Sequence, residues 1–342
     1  MTTMTLRIGG FSTRLPTRLV LVNAVLVILL VAFAGQSLLA GTYPTSLADL
    51  QNALSGRADK ITSMILLDHR LPRILTAIGV GLAFGLAGET IQTLLKNPLA
   101  SPDIIGFSAG AGTGAVLTVV LLGTGTFVFL GAMLGGLTVA ALILALSWKR
   151  GIAPGQLVLM GIGISLTVSV INDLLMTRFD VTEAAQIAKW LVGSLEARHW
   201  QDVSILWLGL ACLGPLAFWF QFKLSRLALG DETATVLGVA VDPARMATLL
   251  LAIGLVALAV SVAGPLPFVA FVSGPIAHGL TRQPRPTLLC AALVGALVTL
   301  LADTASQSLP GGLTLPAGIF TALIGAPVLL WCLIVESRKR RG

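Results

Sequence analysis

Charged side chains are scarce: Asp, Glu, Lys and Arg make up 11% of the 342 residues, under half of the roughly 25% usual in soluble domains. That excludes a water-soluble globular chain. With 56% hydrophobic residues and a mean hydropathy of +0.93, the composition fits a polytopic helical membrane protein, whose segments must satisfy their own backbone hydrogen bonds in lipid. Cysteine is limited to Cys212, Cys290 and Cys332. Each lies in or beside an apolar run, so the three read as small buried hydrophobes and not as a disulfide framework. Histidine occurs three times (His69, His199, His278), too scattered to suggest a metal site. No G-x-x-x-x-G-K-[ST], H-E-x-x-H or Cys-x-x-Cys is present, so the chain is not itself a P-loop nucleotide hydrolase. "GFSAG" at 106–110 has the letters of a nucleophile elbow but opens a membrane helix where the elbow needs a preceding strand.

What is abundant is glycine, at 37 residues. Gly81-xxx-Gly85, Gly106-xxx-Gly110-xxx-Gly114 and Gly131-xxx-Gly135 supply seams at which helices can approach closely. The net charge of +7 comes from short basic clusters between apolar runs. Such clusters are topology signals, so nucleic-acid binding is not expected.

Apolar runs lie near 19–40, 74–95, 104–122, 126–146, 156–176, 205–222, 247–262, 265–277, 287–301 and 316–335. The run at 265–277 is too short to span alone. Arg7, Arg14 and Arg18 precede the first run and Arg338, Lys339, Arg340 and Arg341 follow the last, so both termini are expected in the cytoplasm. Threading about ten transmembrane helices puts 15 of the 22 Lys and Arg on the cytoplasmic side, an asymmetry in the expected sense. It also leaves Arg70 and Arg73 outside. "TSLADLQNAL" and "TEAAQIAKWLVGSL", both outward, read as short surface helices. The longest inward segment, 223–245, carries a short helix bracketed by Gly230-Asp231-Glu232 and Leu237-Gly238, with acids at its N-terminus where the helix dipole favours them. No separate soluble domain is visible, so residues 1–342 read as one membrane domain.

Ionisable groups inside apolar runs are costly and mark either a pathway or a pairing. Glu89, Gln92 one turn later, and Asp173 are the candidate pathway residues. The alternative for Glu89 is a hydrogen bond within the bundle near the cytoplasmic end, and for Asp173 a place at the outer interface. An ion-gradient-driven secondary carrier would need more such groups and would leave 223–245 unexplained.

The stretch "RLPRILTAIGVGLAFGLAGETIQTLLKNPLASPDIIGFSAGAG" (70–112) resembles the FecCD-type permeases, the membrane subunits of ABC importers for ferric siderophores, haem and vitamin B12. The matching residues are Arg70-Leu71-Pro72-Arg73, Gly88, Gln92, Asn97-Pro98-Leu99-Ala100, Pro102, Gly106 and Ser108-Ala109-Gly110-Ala111. "WLVGSL" (190–195), "LALGDETATVLGV" (227–239) and "LPAGIFTALIGAP" (315–327) extend the resemblance over nearly the whole chain. It implies an all-α, ten-helix permease of the cytoplasmic (inner) membrane, with both termini cytoplasmic and no chemistry on its substrate. The implied partners are a second permease subunit, two ATPase subunits that use ATP and Mg, and an extracytoplasmic binding protein. No cofactor is expected on this chain.

Residue by residue, the resemblance gives Arg70 and Arg73 to docking of the binding protein. Asn97 and Leu99 go to a cytoplasmic gate, with Ala153-Pro154 as the second gate loop. Gly230, Asp231, Glu232, Ala234, Leu237 and Gly238 go to a coupling helix seated on the ATPase. The departures are Gln307 where some relatives have a third docking arginine, Gly274-Pro275-Ile276-Ala277-His278 in place of P-H-I-A-R, and Glu89 in place of a small residue. Together they suggest one half of a heterodimer, most like the second permease subunit of ferric-enterobactin-type systems.

Overall fold

An apolar stretch in lipid has the helix as its simplest way to pair every backbone group, and a helix sits on each of the ten runs in the computed structural model of the chain. The structure describes residues 3–8, 11–41, 43–102, 106–122, 127–147, 154–177, 179–180, 187–188, 190–308 and 315–339. In chain order the helices are α1 (Thr17–Leu39), α2 (Leu47–Leu54), α3 (Lys60–Leu94), α4 (Phe107–Leu122), α5 (Phe127–Ser147), α6 (Pro154–Met176), α7 (Trp200–Leu227), α8 (Asp231–Val236), α9 (Val241–Ala263), α10 (Val269–Thr281), α11 (Leu288–Gln307) and α12 (Ala317–Lys339). Seven are long and apolar enough to cross a membrane; α4, α10 and the apolar part of α12 are shorter. The chain is an all-helical, multi-pass membrane protein in its body. Ahead of α1, β1 (Thr3–Ile8) and β2 (Phe11–Pro16) pair antiparallel, with Ile8 opposite Phe11. Charge counting passed over this hairpin. Its alternation of Thr, Leu, Arg and Ile ahead of Gly9-Gly10 is nonetheless a hairpin signal.

The surface helix expected in "TSLADLQNAL" is α2. Ser46 caps it through a reciprocal box in which Asp49 Oδ2 accepts from the Ser46 N–H at 2.8 Å and Ser46 Oγ accepts from the Asp49 N–H at 3.2 Å. Of the "TEAAQIAKWLVGSL" stretch (182–195), residues 182–186 and 189 lie outside the described residues.

The glycine seams form where the spacing put them. A methyl group added at Gly81 or Gly85 of α3 would run into the backbone of α11 at Gly295–Ala296 or Ala291. Gly110 and Gly114 of α4 meet Gly135 and Gly131 of α5 in the same way. With backbones this close, dispersion and packing hold the helices without a hydrophobic force between them. Helix α3 is the hub, packed against α7, α9, α10 and α11 and buried along most of its length.

Helix α3 also runs further outward than the apolar pattern indicates. Pro72 has the look of a helix start, yet the helix begins at Lys60 and passes through the proline by widening into a π segment, Met64–Arg70. The Leu71 N–H reaches back five residues to the Leu66 carbonyl. In that register the Leu67 carbonyl would pair with the N–H of residue 72, which proline lacks. Trp200 of α7 supplies the missing donor, its Nε1–H 3.0 Å from the Leu67 oxygen.

Candidate functional site

Three regions hold the residues singled out by the sequence. The first is the N-terminal part of α3, expected from the charge pattern to face outward. Arg70 is three residues from Arg73, but the two guanidinium groups turn to different neighbours. Arg70 Nη1 donates to the Leu38 carbonyl and to Thr45 Oγ1, both at 2.9 Å, and Nη2 donates to the Tyr43 carbonyl at 2.6 Å. Gly41, at φ +147°, makes room for it, since a Cβ there would overlap the guanidinium. Arg73 turns to α11 and grips Asp303 bidentately, Nε to Oδ2 at 2.9 Å and Nη2 to Oδ1 at 2.8 Å. Gln307, the residue standing where a third arginine was looked for, donates its amide to Asp303 Oδ2 at 3.0 Å. Nearby, Arg198 donates to the Glu196 and Val262 carbonyls at 3.1 and 2.6 Å. Burial is the main influence on its guanidinium and lowers its pKa from the usual arginine value.

The second region is a cavity of about 620 Å³ between α4, α6, the 191–192 segment, the Pro265–Pro267 turn and the start of α12. Its polar lining is Ser108, Ser169, Asn172 and Asp173. Asn172 Nδ2 donates to the Ala109 carbonyl at 3.2 Å, while its buried Oδ1 has no partner. Of the three candidate pathway residues, only Asp173 lines this cavity. Glu89 and Gln92 face α10 instead, and there the sequence dictates a repair. Pro275 deprives the Phe271 carbonyl of its i+4 donor, and Gln92 Nε2 donates to that oxygen at 2.8 Å. Gly274 is the residue that leaves space for it, because a Cβ there would strike Gln92 Oε1. Glu89 is wholly buried; its Oε1 lies 2.9 Å from His278 Nε2 and accepts from the Thr287 N–H at 2.9 Å. The two departures from the family pattern, Glu89 and His278, are thus one contact joining α3, α10 and the start of α11.

The third region is the opposite end of the bundle, expected from the charge pattern to face the cytoplasm. Asn97 Oδ1 accepts from the Leu99 N–H at 2.9 Å, and the Ala100 N–H closes a turn onto the Asn97 carbonyl at 3.0 Å. Asn-Pro-Leu-Ala is therefore a tight turn at the end of α3, exposed at Asn97 and Pro98 and buried at Ala100, with Lys96 at φ +50° leading into it. Ala153 lies outside the described residues; Pro154 opens α6, and its side chain lies outside them too. The short helix expected after Gly230 is α8. Gly230 at φ +114° and Gly238 at φ +79° open and close it, conformations that favour glycine. Asp231, Glu232, Leu237 and Gly238 are exposed, whereas Ala234 is buried against the bundle. Arg245 anchors the segment by donating from Nη2 to Asp231 Oδ1 at 2.7 Å. Two exposed apolar residues that the sequence reading passed over complete its outer surface: Val236, 87% exposed, and Leu229. Among the described residues no group of three or more His, Cys, Asp or Glu could hold a metal ion.

A helical membrane body with a short exposed helix at one end and a cavity lined on one side by polar groups is that of a transport protein of the permease class. The chain belongs to the FecCD transport family, whose model matches residues 25–335. It is 37% identical over 295 residues to the ferric enterobactin transport system permease protein FepG of Escherichia coli, covering 84% of this chain and 88% of that one. It is 31% identical over 327 residues to the molybdate import system permease protein MolB of Haemophilus influenzae, covering 93% and 96%. Among solved structures it superposes with a TM-score of 0.82 and 30% identity on an inward-facing ABC transporter described as being of metal-chelate type, covering 92% of this chain and 98% of that one. The protein is a permease subunit of an ABC importer, a transport component and not an enzyme. Membership implies partner permease and ATPase subunits and a substrate-binding protein.

Proposed function

We propose that the chain forms half of the path by which a ferric siderophore crosses the cytoplasmic membrane, with ten crossings and both termini inside. The observation that carries this reading is the cavity bearing Asp173. Helix α6 is packed against the rest of the chain over only 17% of its apolar window, yet it presents Thr167, Ser169, Asn172 and Asp173. Polar groups on so bare a helix favour a watery path or a second subunit over lipid. The exposed stripe Leu159, Leu166, Val170 and Leu174 beside them is suited to a second, non-identical permease subunit. The iron chelate is favoured over other cargo by the likeness to FepG; MolB shows that the same fold accompanies a molybdate system.

Outside, the end of α3 that carries Arg70 and Arg73 is the docking face for an extracytoplasmic binding protein, using weak contacts that orient and release. Inside, α8 seats on an ATPase partner that uses ATP and Mg, through Asp231, Glu232, Leu237 and Gly238 with Val236 and Leu229 beside them. The turn Asn97–Leu99 stands at the cytoplasmic gate. The test is uptake of a panel of labelled ferric siderophores, with haem, vitamin B12 and molybdate as comparators, in cells with and without this chain. Loss of one ferric siderophore alone supports the reading; loss of a comparator alone overturns it. Uptake that survives removal of the ATPase partner would point to an ion-gradient-driven carrier instead.

A further inference from the structure

The two outer arginines are not electrically equivalent. Asp303 is wholly buried and Arg73 only 20% exposed. A carboxylate in that setting stays ionised only if it is paired and hydrogen-bonded, and this one has both. Arg73 reaches it with Nε and Nη2, and Gln307 donates to its Oδ2. The positive charge of Arg73 is therefore offset within the bundle. Arg70 differs: all three of its acceptors, Leu38 O, Thr45 Oγ1 and Tyr43 O, are neutral. No carboxylate pairs with it among the described residues.

Counting donors sharpens the contrast. A guanidinium has five N–H groups. Arg70 commits three, which fix its plane and leave one on Nη2 and the one on Nε. Arg73 keeps both Nη1 hydrogens and one on Nη2, but any incoming carboxylate that takes them also meets the charge of Asp303 behind them.

Resting on the docking reading above, we infer that of this pair of arginines Arg70 alone carries docking charge, while Arg73 with Asp303 and Gln307 is a clip that positions it by locking α3 to α11. Arg70 is the contact residue, pre-set by the α1–α2 loop wrapped around it. Arg73 acts through the backbone they share.

The experiment uses the assembled transporter in lipid nanodiscs and the binding protein that co-purifies with it, with affinity measured at low and at high salt. Arg70→Gln should weaken docking about five- to tenfold, since interface charges set both affinity and salt dependence, and should flatten the dependence on salt. Arg73→Gln combined with Asp303→Asn removes both charges at nearly constant volume. It should dock within about twofold of the parent with the salt dependence unchanged. Should that pair fail to assemble, Arg73→Lys with Asp303 intact gives the same readout, because it keeps the charge balance while breaking the bidentate grip. A folded double variant, or Arg73→Lys, that docks as weakly as Arg70→Gln overturns the division of roles. If neither Arg70→Gln nor the double variant shifts affinity or salt dependence, the docking reading itself falls, and this inference with it.

Discussion

Replacing Gln92 by Leu should expose what the amide does in the bundle. Its Nε2–H satisfies the Phe271 carbonyl, which Pro275 leaves without a helical donor. Leucine fills a similar volume but donates nothing, and Gln92 is buried between α3 and α10. A buried carbonyl left unpaired costs about 1–3 kcal/mol, so Gln92→Leu should lower the unfolding free energy by about that much. The decisive companion is Pro275→Ala, which restores an N–H four residues beyond Phe271. Alone it should be close to neutral, because that oxygen is already satisfied. Combined with Gln92→Leu it should recover most of the loss, giving a favourable coupling of about 1–2 kcal/mol in a double-mutant cycle. The measurement is equilibrium unfolding of the purified chain in mixed micelles, followed by tryptophan fluorescence. Strictly additive effects would refute the reasoning, since the amide would then stabilise the bundle by some route other than the orphaned carbonyl.

Other expectations are more local. His278→Leu leaves the buried Glu89 side chain without its partner and should cost about 3 kcal/mol, the low end for breaking a buried pair because His278 is partly open to water; Glu89→Gln in the same chain should return part of it in the same unfolding assay. Gly114→Val pushes a branched side chain into the Gly131 carbonyl and should abolish α4–α5 packing, read as loss of monodisperse protein on size-exclusion chromatography, whereas Gly163→Ala, with nothing within 4 Å, should purify normally. The Asp49 carboxyl is held below its usual range by the backbone and side-chain hydrogen bonds of Ser46. A depressed folded value gives stability that is present above the ordinary carboxylate range and lost as the pH falls through the folded one. The amides of α2 should therefore exchange hydrogen faster on acidification, and Asp49→Asn should remove that dependence.

The parts of this molecule that could be read from its sequence are those that depend on local spacing. Ten apolar runs became ten helices, glycines four apart became seams, and Gly230 and Gly238 bounded a short helix because each needs a positive φ. What stayed hidden depends on partners far away in the chain. Arg73 looked like a free cation until the fold brought Asp303 to it from 230 residues away. For Glu89 the sequence left open a pathway role or a hydrogen bond within the bundle, but not its partner, His278, at a separation of 189, and nothing local showed that Gln92 answers a proline in another helix. Nor did the sequence show that the helix runs on through Pro72, because Trp200, far along the chain, supplies the donor that the proline lacks.

That continuation has a mechanical consequence. Helix α3 runs unbroken over 35 residues, about 50 Å at 1.5 Å per residue. One end carries Arg70 and the other leads directly into the Asn97–Ala100 turn. Any torque delivered at the outer surface is passed to the inner turn along a single rod, with no loop to absorb it. The one joint in the rod is the π segment, whose backbone bonding is already one residue out of step; Arg70 is its last residue and Arg73 lies three residues beyond it. A push from outside can therefore bend the helix at its tip or tilt all of it, and the Arg73–Asp303 clip, one turn further in, favours the tilt.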